Sequence, residues 1–232
     1  MKLRWKIAQA AEIRWWQSYL NKKDKGEYLD WKKKYWRQFL EDCNIEVPTG
    51  ASCADIGCGP AGIFTVLDEQ QVVAVDPLLE QYEAKLAHFN PADYPNVSFQ
   101  TLPLEQLVNQ KPFENAQFKN AQFENAQFKN AQFDYVFCLN AINHVADLDA
   151  CLDNLIKLIK KDGTLVLSID AHNHQVLKHI FRALPGDILH PHQYDLAEYQ
   201  TMLTSRGLSI EATIHKDEAF FFDYYVLIAK LR

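Results

Sequence analysis

Two patterns of apolar spacing divide the chain near residue 47. Before that point, apolar residues recur three and four positions apart over residues 2–20 and 27–42, which predicts two helices. The second helix would carry an aromatic side and, opposite it, a basic side. The basic side is formed by Lys32, Lys33, Lys34 and Arg37. We therefore expect a helical cap over residues 1–47, followed by a larger domain over residues 48–232.

After residue 47, short runs rich in β-branched residues alternate with helical segments. This alternation predicts an α/β fold with a parallel sheet that is covered by helices on both faces. The last two strands are separated by a short acidic turn, and we expect them to pair antiparallel. The predicted strands are 52–56, 71–75, 97–100, 135–139, 164–169, 208–214 and 220–229, and the predicted helices are 61–69, 78–89, 103–109, 147–160 and 195–206.

One segment departs from both patterns. Residues 114–133 are four copies of the pentamer (Glu/Lys)-Asn-Ala-Gln-Phe, and a period of five matches neither a helix nor a strand. Removing these residues would join Phe113 to Asp134 and recreate the Phe–Asp step at Phe133–Asp134. We interpret the repeat as a tandem insertion in a surface loop, either a tolerated addition or a surface for a partner.

Composition narrows the class of protein. With 48% hydrophobic and 23% charged residues, the chain is typical of a globular protein rather than a disordered one. Its apolar runs are far shorter than the roughly 20 residues of a membrane-spanning helix. The five cysteines contain no Cys-x-x-Cys pair, so they indicate neither a disulfide framework nor a metal site. A reducing, cytoplasmic location fits this cysteine usage best.

The net charge of −6 is unevenly distributed. Residues 1–40 hold all five Trp and carry 11 Lys/Arg against 4 Asp/Glu, whereas the remaining 192 residues carry 13 against 26. A basic, Trp-rich front would suit peripheral contact with an anionic surface. Nucleic acid is not an expected partner, because the rest of the chain is acidic and the isoelectric point is about 5.7.

The candidate chemistry lies in a glycine-rich segment. Gly57, Gly59 and Gly62 follow the predicted strand 52–56 with G-x-G-x-x-G spacing, which lets the backbone approach a ligand closely. Asp76 ends the next predicted strand, where a carboxylate accepts hydrogen bonds from ribose hydroxyls. This pattern predicts a cofactor that carries a nucleoside. Asp55 would repel the pyrophosphate of a nicotinamide dinucleotide but suits the cationic S-adenosylmethionine.

Four segments in order resemble the motifs of class I S-adenosylmethionine-dependent methyltransferases: residues 55–62, 103–107, 133–145 and 158–167. The resemblance implies a Rossmann-like three-layer sandwich with a seven-stranded, mostly parallel sheet whose last strand is antiparallel, plus the N-terminal helical cap. It also implies contacts with the cofactor at the carboxyl ends of the strands. The implied cofactor-binding residues are Asp55 and Gly57 at the methionine end, Gly59 in the same glycine-rich segment, Asp76 at the ribose, Leu104 and Glu105 at the adenine, and Leu139 and Asn140 beneath the sulfonium.

The same resemblance implies methyl transfer to an O, N or C nucleophile. Candidate catalytic bases are His144, His190 and His192. The cap would cover the acceptor and contact it through Trp15, Tyr19 and Tyr28, with Asp170 at the rim of the pocket. No metal site is expected, because the paired histidines lack nearby cysteines and have only scattered carboxylates around them.

The acceptor is expected to be a small or lipid-like molecule. The tetrapeptide after the fourth strand is Leu139-Asn140-Ala141-Ile142, not the Asn-Pro-Pro-Tyr-like sequence of many enzymes that methylate nucleic acids or proteins. Two other functions stay open at this point. One is an NAD-dependent oxidoreductase, which the glycine spacing and Asp76 favour, and the other is a non-catalytic scaffold with this fold. The sequence makes no prediction about the oligomeric state.

Overall fold

The protein is described by a computed structural model that covers residues 3–107, 133–172, 194–218 and 222–231. Two helices come first in these residues, and strands and helices follow in alternation. The helices are α1 (Leu3–Leu20), α2 (Lys25–Asp42), α3 (Leu79–Lys85), α4 (Leu148–Leu158) and α5 (Leu196–Thr204). The strands are β1 (Ser52–Ile56), β2 (Gln71–Val75), β3 (Val97–Gln100), β4 (Phe133–Cys138), β5 (Ile159–His172), β6 (Leu208–Glu218) and β7 (Phe222–Leu231).

Within the described residues, the seven strands form one sheet in the order β3-β2-β1-β4-β5-β7-β6. Strands β1 to β5 pair parallel, and β7 pairs antiparallel with both β5 and β6. The predicted fold class is confirmed, including the antiparallel last strand. The strand order reverses between β1 and β4. In open α/β sheets, ligands bind beside the carboxyl ends of the strands at such a reversal.

Side chains of the central strands alternate between two hydrophobic clusters, one on each face of the sheet. Cys53 and Phe137 belong to the cluster shared with α1, α2 and α3, whereas their neighbours Ala54 and Val136 belong to the cluster shared with α4 and α5. Burial on both faces explains the nearly continuous apolar runs of these strands. The two cap helices contribute to the first cluster through Ile13, Leu20, Tyr28, Trp36 and Phe39. The cap and the sheet therefore share one core.

The connection from β1 to β2 differs from the prediction. A helix is predicted over residues 61–69, but the structure has only one 3-10 turn, Ile63–Val66. The glycine-rich loop occupies the first part of this connection, and residues 67–70 after the turn are not helical. Helix α2 covers the turn instead, and Trp36 Nε1 donates a hydrogen bond to the Ala61 carbonyl oxygen at 2.9 Å. This contact ties the cap to the glycine-rich loop.

Candidate active site

Two buried carboxylates lie at the carboxyl ends of the neighbouring parallel strands β1 and β2. Asp55 is 2% exposed and Asp76 is 6% exposed. Asp55 Oδ2 accepts a hydrogen bond from the Phe64 backbone N–H at 3.0 Å. Asp76 accepts hydrogen bonds from the backbone N–H groups of Gly59 at 3.0 Å and Leu78 at 2.8 Å. The glycine-rich loop is therefore held between the two carboxylates.

The electrostatic environment of this pair suits a cation. Burial raises the pKa of Asp55 to about 7, and the neighbouring charge of Asp76 adds to the rise. Burial also raises the pKa of Asp76 to about 7, with a further contribution from Glu12 on α1. Backbone N–H donors oppose both shifts, as does Lys32 for Asp55, but they do not cancel them. A cationic ligand would stabilise the ionised forms of both groups.

The first glycine of the loop brings two loops into contact. Gly57 has a φ of +72°, a conformation that favours glycine. A Cβ atom at Gly57 would overlap the side chain of Ala141, which follows β4. The two loops therefore meet at the reversal of strand order, and only a hydrogen atom fits between them. This contact places the end of β4 beside the glycine-rich loop.

The residues after β4 are fixed by hydrogen bonds to β5. Asn140 has a φ of +55°, and its backbone N–H donates to Ser168 Oγ at 2.7 Å. The buried Asn143 pairs with the backbone of Asp170 in both directions: its Nδ2 donates to the Asp170 carbonyl oxygen at 2.9 Å, and its Oδ1 accepts from the Asp170 N–H at 3.1 Å. These bonds set the position of the 3-10 turn Ile142–His144 relative to β5.

A buried amide lies beside Asp76. Gln100, the last residue of β3, is 7% exposed, and neither its Nε2 nor its Oε1 has a hydrogen-bond partner among the described residues. Its backbone oxygen accepts a hydrogen bond from the Asp76 N–H at 3.2 Å. Buried amides are normally hydrogen-bonded, and leaving one unpaired costs about 1–3 kcal/mol. The free donor and acceptor would suit a polar ligand at this edge of the sheet.

A sequence model of the family described as "Methyltransferase domain" matches residues 28–213, which is most of the chain. The chain belongs to this family. No curated protein sequence matches the chain significantly.

Solved structures of methyltransferases resemble this one in fold. The YcgJ protein of Bacillus subtilis is 18% identical with a TM-score of 0.60, over 83% of this chain and 96% of that chain. Magnesium protoporphyrin IX methyltransferase of Synechocystis PCC 6803, with bound S-adenosylhomocysteine, is 20% identical with a TM-score of 0.52, over 88% and 84% of the two chains. A SAM-dependent methyltransferase of Aquifex aeolicus is 12% identical with a TM-score of 0.58, over 85% and 89%. These similarities show the class I fold.

The protein is thus an S-adenosylmethionine-dependent methyltransferase of class I fold, as predicted. The residues at the reversal of strand order fit this cofactor. S-adenosylmethionine carries an ammonium and a sulfonium, and a cation would stabilise the ionised forms of Asp55 and Asp76, whose pKa values burial raises. The unpaired Gln100 amide would suit the nucleoside.

Most of the predicted cofactor-binding residues come together in the methyltransferase. The carboxylates lie against the glycine-rich loop, and the segment after β4 contacts the same loop. Leu104 is instead buried in the cluster shared with α4 and α5, and Glu105 Oε1 accepts a hydrogen bond from the Ala146 N–H at 2.8 Å. The predicted roles of all these residues toward the cofactor stay predictions.

The predicted catalytic and acceptor residues fall into three groups. His144 is exposed on its turn after β4, and Asp170 is partly buried near the carboxyl end of β5. His190 and His192 lie outside the described residues. In the cap, Trp15 is 55% exposed and stacks on Tyr19, whereas Tyr28 is only 3% exposed and its hydroxyl has no hydrogen-bond partner in the part of the chain that the structure describes. Across the described ranges, no group of three or more His, Cys, Asp or Glu is arranged to hold a metal ion.

Sequence reasoning missed two polar residues of the site. Gln100 pairs with Val75 across the sheet, so its side chain takes an inward position of the predicted strand 97–100, and a polar residue in such a position is a detectable signal. Lys32 is assigned by the sequence to the basic side of the second helix, and this assignment is wrong. Lys32 lies four residues from both Tyr28 and Trp36, which are buried, so helical periodicity places it on the same side as these two.

Proposed function

We propose that the methyltransferase transfers the sulfonium methyl group of S-adenosylmethionine to an O, N or C nucleophile of a small or amphipathic molecule. The observation that carries this proposal is the pair of buried carboxylates held by one glycine-rich loop at the reversal of strand order. In the proposed pose, Asp55 and Gly57 hold the methionine end and Asp76 the ribose. Leu104 and Glu105 border the adenine, and Leu139 and Asn140 lie beneath the sulfonium.

Methyl transfer needs little covalent chemistry from the protein. The nucleophile attacks the methyl carbon in line, and the C–S bond breaks with its electron pair moving to sulfur, which leaves neutral S-adenosylhomocysteine as the thioether. The positive charge of the sulfonium is dispersed in the transition state, so orientation and exclusion of water are the main contributions of the site. An O or N nucleophile must also lose a proton, and His144 is the base that we propose among the described residues. The turn that carries it is fixed to β5 through Asn143.

The aromatic side chains of the cap support an amphipathic acceptor. The Trp15 and Tyr19 rings are stacked with centroids 5.0 Å apart, and Tyr19 contacts the edge of Tyr28 at 6.2 Å. Lys23 Nζ lies 4.7 Å from the Tyr19 ring centroid, so a cation accompanies this apolar surface. We propose that Trp15, Tyr19, Tyr28 and Asp170 contact the acceptor, and that His190 and His192 approach it as well.

The basic front also suits an anionic lipid surface. Among the described residues, no helix combines the length and hydropathy of a membrane span, so any such contact would be peripheral. Sedimentation of the protein with vesicles of phosphatidylglycerol tests this contact, with phosphatidylcholine vesicles as the neutral control. The Trp15→Ala variant should sediment less than the wild type. All five cysteines are buried and unpaired, which supports a cytoplasmic protein.

Calorimetric titration with S-adenosylmethionine, S-adenosylhomocysteine and NAD⁺ tests the proposed function. Micromolar binding of the two adenosyl compounds without binding of NAD⁺ is the expected result. Binding of NAD⁺ alone would instead identify an oxidoreductase, and binding of none of the three would favour a non-catalytic scaffold.

A further inference from the structure

Lys32 is a partly buried cation among aromatic rings. Its Nζ lies 5.1 Å from the ring centroids of Tyr35 and Trp36 and 5.5 Å from that of Trp31. The Trp36 ring is in turn hydrogen-bonded to Ala61 in the glycine-rich loop. Helix α2 therefore holds the Lys32 ammonium close to the loop that binds Asp55 and Asp76.

Lys32 and Asp55 are electrostatic neighbours. Burial lowers the pKa of Lys32, and the charge of Asp55 raises it, while Lys32 in turn lowers the pKa of Asp55. Lys32 nevertheless forms no ion pair or hydrogen bond with any other residue in the described part of the chain. Ring faces attract a cation but replace its hydration only in part. An anionic group beside Lys32 would make up this loss.

The methionine end of S-adenosylmethionine carries an ammonium and a carboxylate on one carbon atom. A site for this end needs a negative and a positive group side by side, and Asp55 and Lys32 supply both. We propose that Lys32 binds the α-carboxylate of the cofactor while Asp55 binds its ammonium. This inference rests on the proposed placement of the methionine end at Asp55.

The arrangement makes the amino-acid end a determinant of specificity. A ligand without the carboxylate would leave Lys32 without a ligand group of opposite charge, and a ligand without the ammonium would leave Asp55 without one. The site would therefore discriminate against adenosyl compounds that lack either group, although their nucleoside is identical.

Three ligands separate the contributions of the two residues. Of the ammonium and the carboxylate at the methionine end, S-adenosylhomocysteine has both, decarboxylated S-adenosylmethionine keeps only the ammonium together with its sulfonium, and 5′-methylthioadenosine has neither. Lys32→Gln should weaken the binding of S-adenosylhomocysteine about 10- to 100-fold, which is the loss expected for a hydrogen bond between charged groups. The affinities for the other two ligands should stay within about twofold of the wild-type values. Lys32→Arg keeps the cation and should retain most of the affinity. Lys34→Gln, at an exposed lysine of the same helix, is the matched control and should bind all three ligands normally.

The outcomes are distinct. An equal loss for all three ligands would show that Lys32 supports the structure of the site rather than binding the carboxylate. Unchanged affinity for S-adenosylhomocysteine together with a raised KM for the acceptor would assign Lys32 to an anionic group of the acceptor and overturn the inference. If the wild-type protein bound no adenosyl compound, the proposed function itself would fail, whereas normal wild-type binding with an unaffected Lys32→Gln variant would overturn the role of Lys32 alone.

Discussion

The backbone of Gly62 lies directly against the carboxylate of Asp55. A Cβ atom at Gly62 would come closer than 3.0 Å to Asp55 Oδ2 and to the Cys58 carbonyl oxygen. Gly62 itself has an ordinary backbone conformation, with a φ of −76°. The need for glycine at this position is therefore steric, and it arises from both the buried carboxylate and the Cys58 carbonyl group.

Gly62→Ala should displace the Asp55 carboxylate and weaken S-adenosylhomocysteine binding by about tenfold or more, because the charge can no longer lie where the loop holds it. Gly50→Ala is the control: Gly50 has a φ of +78° and open space around its Cα atom, so alanine would strain the backbone and reduce stability without touching the site. Calorimetry and thermal unfolding of both variants check the prediction. Normal binding by Gly62→Ala would show that the Asp55 carboxylate is not held in place by this contact.

Cofactor affinity should depend on pH through Asp55 and Asp76. Both carboxyls have a pKa near 7 in the folded protein against an ordinary value of 3.8, so each retains a proton below neutral pH. For Asp55, the charge of Asp76 adds to the rise in pKa and that of Lys32 opposes it, and for Asp76 the charge of Glu12 adds to the rise. A cationic ligand binds the ionised carboxylates, so affinity should rise between about pH 6 and pH 8, and binding should release protons. Titration in buffers with different ionisation enthalpies measures this release.

The same shifts have the opposite effect on the stability of the free protein. Between about pH 4 and pH 7, the folded state binds more protons at Asp55 and Asp76 than the unfolded state does, so these groups make the free protein less stable as the pH rises. Asp55→Asn should therefore raise the Tm of the free protein at about pH 8 while abolishing most cofactor binding. A cofactor affinity that stays constant between about pH 6 and pH 8 would show that both carboxylates are already ionised in the free protein.

Gln100 tests the nucleoside end of the site. Its buried amide has no hydrogen-bond partner within the described ranges, so Gln100→Leu should leave the Tm of the free protein unchanged or raise it. If the amide binds the nucleoside, the same variant should weaken the binding of S-adenosylhomocysteine and of 5′-methylthioadenosine about equally, because both ligands contain adenosine. Gln106→Leu, at an exposed glutamine in the next loop, serves as the control. Unchanged affinity of Gln100→Leu for both ligands would contradict this role.

A structural feature is predicted accurately from the sequence where local residues determine it, and poorly where contacts between distant residues do. The bounds of β1, β2 and β3 are predicted to the residue, because each is a short run with Gly, Pro or Asn close to one or both ends. The helix over residues 61–69 is overpredicted, since apolar spacing does not distinguish a helix from the loop and 3-10 turn that the structure has there. The orientation of Lys32 is predicted wrongly because a lysine is expected on the exposed side of a helix. Its spacing of four residues from both Tyr28 and Trp36 instead indicates the buried side. The hydrogen bonds of Asn143 to β5 join residues distant in sequence and could not be predicted from local pattern.

The pentamer repeat allows a deletion that preserves the core. Phe133, the first residue of β4, is buried in the hydrophobic cluster and pairs with Ile159 of β5. Deleting Glu114–Phe133 places Phe113 at the same position directly before Asp134, so the start of β4 keeps its sequence. We expect the shortened protein to keep the wild-type Tm and affinity for S-adenosylhomocysteine.

A second deletion of equal length provides the matched control. Removing Ala116–Tyr135 shortens the chain by the same number of residues but also eliminates Asp134. Asp134 accepts hydrogen bonds from the Ser52 N–H at 2.8 Å and from Lys160 Nζ at 2.9 Å. This second protein should lose stability, because the contacts that join the starts of β1, β4 and β5 are broken. If the first deletion instead lowered the affinity for S-adenosylhomocysteine, the repeat would have a role in the methyltransferase beyond that of a tolerated insertion.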